Sequence, residues 1–234
     1  METRPPELDR KLEQTSCIHV GDLHFWRFTK NPFRMLNKRA LGIGNLALRR
    51  AKIFRQELAP YLAERISDVD PDWYLFSGDF TTTSLKPEFD AASEFLRPYI
   101  ESKPGKIIYV TGNHDRYLAR DHRSSFLEKA LDWVGPGHRW PIMHEIAKGV
   151  HAIGIDGTTP NGMGSFGKLT AGEIDTVYQY LKKNQKKINV VIVICHFPYE
   201  APTELMKHDR GIQLYNGDQL LKLLDKFNRP TFYL

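Results

Sequence analysis

Four short clusters of metal-type side chains stand in the chain, each directly behind an apolar, β-branched or aromatic run. Asp22-Leu23-His24 follows Cys17–Val20, and Gly78-Asp79 follows Trp73–Phe76 with one serine between. Gly112-Asn113-His114-Asp115 comes after Ile107–Val110, and His196-Phe197-Pro198 after Val190–Cys195. Carboxylate and amide oxygens are hard donors and imidazole nitrogen is borderline. That mixture suits Mn, Fe or Zn better than an all-oxygen Mg or Ca cage. Any one cluster also reads as a turn, because Gly, Asn and Asp end strands for local reasons. Four in succession read as one site, since ligands in open α/β sheets bind beyond the carboxyl ends of the strands. Glycines beside Asp79 and Asn113 let a turning backbone approach an ion closely.

The elements that must position these groups alternate short strand-like and longer amphipathic runs, the pattern of an α/β domain. Expected strands are the four above, with Val150–Ile155 and Thr231–Leu234. Expected helices are Arg49–Ser67, Glu88–Ile100, Ser124–Val134, Ala171–Lys187 and Asp218–Asn228. Thr170 and Glu173 form a capping box for the fourth helix. Residues 67–71 and 102–105, with their prolines, stop the first two. Residues 1–15 read as a flexible tail before a domain spanning 16–234. The closing Thr231–Leu234 resembles entry into another buried strand, so the domain is expected to be incomplete at its C-terminus.

Composition excludes several other classes. With 234 residues, 41% hydrophobic and 26% charged, the chain is neither disordered nor a coiled coil as a whole. The longest apolar run, Val190–Cys195, is far short of the ~18 residues of a spanning helix. Met1–Ser16 has no apolar stretch of a secretory signal. Cys17 and Cys195, the only cysteines, are expected reduced in the core. Cytoplasmic residence is the default expectation. The net charge of +5 is concentrated: nine bases and no acid lie between Leu23 and Gln56. Such a field attracts phosphates, whether on nucleic acid, lipid or a small substrate.

Taken together, Asp22-Leu23-His24, Gly78-Asp79, Gly112-Asn113-His114-Asp115 and His196-Phe197-Pro198 resemble the successive motifs of calcineurin-like metallophosphoesterases, from about Ser16 to Leu234. Ile155-Asp156-Gly157-Thr158 and the glycine-rich loop after it resemble the bacterial branch with phosphodiesterase activities. The resemblance implies a four-layer α/β/β/α sandwich with two central mixed sheets flanked by helices. It implies two divalent metal ions, Mn, Fe or Zn. Asp22 and His24 would hold the first, Asp79 would bridge, and Asn113 and His196 would hold the second. Asn113 and His114 would contact the substrate, with His114 as general acid or electrostatic stabiliser rather than ligand. The implied reaction is attack of a metal-activated hydroxide on a phosphodiester or pyrophosphate. The family's final Gly-His-x-His motif has no counterpart before Leu234. A non-catalytic binding or regulatory module is therefore the alternative from another class.

Protein phosphatases of this superfamily carry Gly-Asp-x-x-Asp-Arg-Gly, whose second Asp orients the catalytic His. Thr82 stands at that position here, which disfavours a phosphoprotein substrate, and the role of Asp115 stays open. Gly162 to Lys168 matches G-x-G-x-x-G and the start of a P-loop, but Leu169 and Pro160 break both contexts. His19, His122, His138, His144, His151 and His208 read as surface or satisfied core histidines, and Trp73, Trp133 and Trp140 as core. The segment from Arg27 to Arg55, with Phe25 and Trp26 just before it, interleaves bases with Phe28 and Phe33. It reads either as a helical connection with a solvated cationic face or as a dock for anionic lipid or nucleic acid. Gly42 and Gly44 argue against one long helix there. Similar insertions occur in UDP-2,3-diacylglucosamine pyrophosphatases of lipid A synthesis. That enzyme and a nuclease are the named rivals, and lipid docking would place the protein peripherally at the membrane.

Overall fold

Strands buried on both faces need helices outside them and a second sheet behind, and the computed structural model has that layering. It describes residues 14–29, 31, 33, 38–48, 53–118, 140–159, 166–199 and 213–234. In chain order these form β1 (Cys17–Val20), α1 (Lys38–Leu48), α2 (Ala59–Val69), β2 (Trp73–Phe76), α3 (Lys86–Ser102) and β3 (Ile107–Tyr109). There follow β4 (Ile142–Ala147), β5 (Val150–Gly154), β6 (Gly167–Lys168), α4 (Ala171–Asn184) and β7 (Val190–Ile194). The chain closes with β8 (Leu214–Tyr215), α5 (Gly217–Phe227) and β9 (Thr231–Tyr233).

One sheet runs β1-β2-β3, all parallel; the other runs β4-β5-β7-β9, with β4 antiparallel to β5 and the remaining pairs parallel. Strands β6 and β8 form a small parallel pair. Successive side chains on a strand face opposite ways, and the packing follows that rule. Tyr74, Phe76, Ile107 and Tyr109 cluster with Ile66 of α2 and Phe89, Ala92, Leu96 and Tyr99 of α3. Their neighbours Trp73, Leu75 and Ile108 instead meet Ile146, Ala152 and Ile194 of the facing sheet. On the far side of that sheet Ile153, Val191 and Val193 pack on Val177 and Leu181 of α4 and Leu220 and Leu224 of α5. The layers therefore run helix, sheet, sheet, helix. Gly154 sits where the sheets come closest: a Cβ there would lie 2.9 Å from an Ile108 methyl.

Register places the site. Val20 pairs with Phe76, and Phe76 with Tyr109, so three strands end level and their following loops emerge side by side. On the facing sheet Gly154 pairs with Ile194, which brings His196 out at the same end.

The connection between β1 and β2 differs from expectation. Instead of one helix over Arg49–Ser67, α2 begins at Ala59, with Pro60 in its first turn, after a 3₁₀ turn at Gln56–Leu58. Proline lacks an N–H and pre-sets φ, so it suits a helix start and not an interior. Gly42 and Gly44 lie inside a separate helix, α1. Gly42 is needed there, since a Cβ would press 2.5 Å from the Tyr117 hydroxyl. Close packing outweighs a propensity cost of about 1 kcal/mol. Strand β4 has no strong sequence signal and was not anticipated. Cys17 is exposed and only Cys195 is buried, because β1 is an edge strand. Trp73 is buried and Trp140 half-buried. The expected helix Ser124–Val134 lies outside the described residues, as do Trp133, His122, His138, His208 and most of the glycine-rich loop.

Candidate metal centre

The loops after β1 and β2 continue side by side beyond their strands. The N–H of Asp22 donates to the Gly78 carbonyl at 3.1 Å, His24 to Asp79 at 2.8 Å, and Phe25 to Phe80 at 2.9 Å. Asp22, His24 and Asp79 all have positive φ (55°, 46° and 54°), as does Gly78 at 93°. Left-handed backbone is uncommon outside glycine, and its recurrence at three chemically active side chains is typical of functional loops. The inter-loop bonds hold them there.

The side chains converge on Asp79, which is 3% exposed. Its Oδ1 accepts the backbone N–H of His114 at 2.9 Å. Its Oδ2 lies 3.5 Å from His24 Nε2 and 3.4 Å from His196 Nε2. Asp22 Oδ1 is 3.3 Å from His24 Nε2, and Asn113 Oδ1 is 3.2 Å from His196 Nε2. Two groups emerge among the described residues, His24-Asp79-His114 and Asp22-Asp79-His196, each with its donor atoms within 4.8 Å of one another. Asp79 belongs to both. Two atoms bound to one ion at ~2.1 Å each, in tetrahedral array, stand about 3.4 Å apart. The four distances match that spacing better than the 2.7–2.9 Å of a direct charged hydrogen bond.

Protonation supports the same fit. His196 Nδ1 is 3.0 Å from the Ser77 carbonyl. A carbonyl only accepts, so Nδ1 carries a proton and Nε2 is the ring atom that faces the Asn113 and Asp79 oxygens, the one a cation would coordinate there. Buried His24 leaves Nδ1 without a hydrogen-bond partner. Burial pulls the His24 ring toward neutrality, but the Asp22 hydrogen bond and the Asp79 charge outweigh it and raise its pKa. The His24 hydrogen bond in turn holds Asp22 below its ordinary range. A cation would take the place of that shared proton. The residues present fit divalent metal binding.

His114, buried at the rim, places Nδ1 2.6 Å from the Thr82 carbonyl. By the same logic Nδ1 donates. The peptide carbonyl of Thr82, not a carboxylate, orients the ring. Asp115 points away from this focus: Oδ1 accepts from Thr81 N at 2.9 Å and Oδ2 from Gly112 N at 3.0 Å. It ties the second loop to the third. Burial, then the Asp79 charge, push its carboxyl well above the ordinary range.

The profile of the calcineurin-like phosphoesterase family matches residues 15–234. The chain belongs to the calcineurin-like phosphoesterase family. As a member it is a metal-dependent phosphoesterase, and the cofactors of this family are divalent cations. No curated protein sequence matches it significantly. Among solved structures it is similar in fold to a dimetal phosphatase from Danio rerio, with a TM-score of 0.56 and 13% identity over 91% of this chain and 77% of that one. No described helix is long and apolar enough to cross a membrane.

Several residues around the phosphoesterase site carry no motif. Phe54 stacks on His24 with ring centroids 4.0 Å apart, and its carbonyl is held by Trp26 Nε1 at 3.0 Å. Glu88, fully buried, accepts from the N–H groups of Thr83 at 2.8 Å and Leu85 at 3.1 Å. Arg39, counted in sequence among the basic face, is 3% exposed and turned inward. Of the other eight bases between Leu23 and Gln56, only Arg27 and Arg55 have described side chains. His151 lies buried, paired with Tyr180 at 2.7 Å. His19 meets Ser77 Oγ at 2.9 Å.

Proposed function

We propose that this phosphoesterase hydrolyses a phosphodiester or pyrophosphate bond at a two-cation centre, with Asp22 and His24 holding one ion and Asn113 and His196 the other. Asp79 bridges them, and its Oδ2, within 3.5 Å of both His24 and His196, is the observation that carries the reading. Bound there, two divalent ions would lower the pKa of water and neutralise the phosphoryl oxygens. The chain's own part is positioning. Asp79 has two oxygens and a charge to offset crowding between cations. Asn113 meets the substrate with a neutral amide, and His114 stands beside the scissile phosphate with Nδ1 fixed on Thr82. With Nδ1 held on the Thr82 carbonyl, Nε2 is the atom that, when it too carries a proton, gives it to the departing oxygen or stabilises its charge, work generally worth 10²–10⁴-fold.

Thr82 offers His114 a carbonyl where the protein phosphatases offer a carboxylate, which supports a substrate other than a phosphoprotein. A second reading, an acylated anionic substrate, has the support of exposed Phe28, Phe33 and Leu41 on the segment next to the site. The test is hydrolysis of aryl phosphodiesters against aryl monoesters after loading with Mn, Fe or Zn, alongside metal analysis. Diester turnover with two bound ions is expected, as is a 10²–10⁴-fold loss in His114→Ala at unchanged metal content. Monoester preference would overturn the substrate class. Metal binding without turnover on any ester would leave a binding module.

A further inference from the structure

The loop after Asp79 turns inward instead of out to solvent: Thr81, Thr82, Thr83 and Ser84 are each 6% exposed or less. A buried loop must find a partner for every peptide group. Here they come from opposite charges on two helices. Glu88 of α3 takes the N–H groups of Thr83 and Leu85. Arg39 of α1 donates Nε to the Thr83 carbonyl at 2.7 Å and Nη2 to the Ser84 carbonyl at 3.0 Å. The next carbonyl upstream, that of Thr82, receives His114 Nδ1 at 2.6 Å. Three successive carbonyls thus face two Arg39 nitrogens and one His114 nitrogen.

We propose that Arg39 is a positioning residue for His114: by gripping the Thr83 and Ser84 carbonyls, its guanidinium fixes the Thr82 carbonyl that sets the tautomer and direction of the His114 ring. The fork geometry matters, because one rigid guanidinium spans two peptides where an ammonium offers a single point. Ser84 is also held at a positive φ of 54°, a conformation that relaxes unless its neighbours are tied. This assignment gives the segment between β1 and α2 a part inside the site. It rests on the reading that His114 acts at the phosphate, and the experiment separates the two.

Arg39→Met and Arg39→Lys would be compared with the parent and with His114→Ala, all as zinc-loaded full chains. Nitrogen-15 spectra of the histidine rings, assigned by the signals missing in His114→Ala, report the His114 tautomer. The parent is expected to hold the Nδ1–H form, and Arg39→Met a mixture. Turnover number is expected to fall about tenfold in Arg39→Lys and about a hundredfold in Arg39→Met, within the range a positioned acid supplies, with KM within about twofold. Placed on His114→Ala, Arg39→Met is expected to cost little more, since groups acting through one another are not additive. If Arg39→Met does not fold, the tautomer and turnover of Arg39→Lys decide. An unchanged tautomer, or an Arg39 loss that multiplies in full with the His114 loss, overturns the proposal. A shifted tautomer with His114→Ala fully active would keep Arg39 as a positioning residue and remove His114 from the reaction.

Discussion

Asp79 divides its carboxylate between two duties: one oxygen accepts the backbone N–H of His114 at 2.9 Å, and the other faces His24 and His196. Asp79→Asn separates them. The amide oxygen still accepts from His114, but its NH₂ cannot serve as an anionic bridge. Hydrolysis is expected to drop by on the order of 10³-fold or more, by analogy with loss of a central electrostatic group. The melting temperature is expected to stay within about 4 °C, the value of ~1 kcal/mol in a chain this size. Unimpaired turnover with metal supplied would remove the bridging role.

Gly112 tests the same centre without replacing a ligand. A Cβ on Gly112 would overlap Asp79 Oδ1 and press on its carboxyl carbon. Gly112→Ala is therefore expected to push Asp79 off its place, so bound metal and turnover fall together while circular dichroism shows the fold retained. Metal content equal to the parent's would mean the Asp79 carboxylate has room that the packing denies it.

Asp115 is a brace and not a ligand. Its two oxygens take N–H groups from Thr81 and Gly112, and Thr81 Oγ1 adds a third bond at 3.1 Å. In Asp115→Asn one acceptor oxygen becomes a donor facing an N–H. A buried donor left unmatched costs about 1–3 kcal/mol, so the melting temperature is expected to fall by about 2–12 °C. Metal stoichiometry measured at low temperature is expected to persist. Loss of metal with no loss of stability would instead make Asp115 part of the centre.

Much of this was legible because strand ends carry strong local signals. The run Trp73–Phe76 is bounded by Pro71-Asp72 and Ser77-Gly78, and its observed limits match the expected ones. Thr170 and Glu173 cap α4 through reciprocal bonds, Glu173 N to Thr170 Oγ1 at 3.2 Å and Thr170 N to Glu173 Oε2 at 2.8 Å, as their spacing implied. What the sequence hid depends on tertiary contact. Arg39 is one base among nine until a buried loop supplies carbonyls for it. Phe54 is one apolar residue among many until it lies on His24. Gly42 argued only against one long helix, and its place inside the 11-residue α1, close against Tyr117, is a tertiary fit. The orienting partner of His114 could not be read from side-chain types at all, since it is the peptide carbonyl of Thr82.

His151 gives a test of the fold away from the metal centre. It projects from the outer face of β5 at 2% exposure, beneath Tyr180 of α4, with Nδ1 2.7 Å from the Tyr180 hydroxyl. Its Nε2 has no hydrogen-bond partner. Burial lowers its pKa from 6.5; Glu145, 3.9 Å from Nε2, opposes that and Lys187 adds to it. The folded state thus binds the proton less well than the unfolded state. Stability from this group is complete above about pH 6.5, the unfolded value, and is lost as pH falls through the lower folded value. His151→Phe keeps the ring volume and removes the titration, at the cost of the Tyr180 hydrogen bond. Between pH 7.5 and 5 its melting temperature is expected to fall by less than the parent's, whatever the offset between the two curves. Parallel curves over that interval would show that the His151 proton does not drive the acid loss.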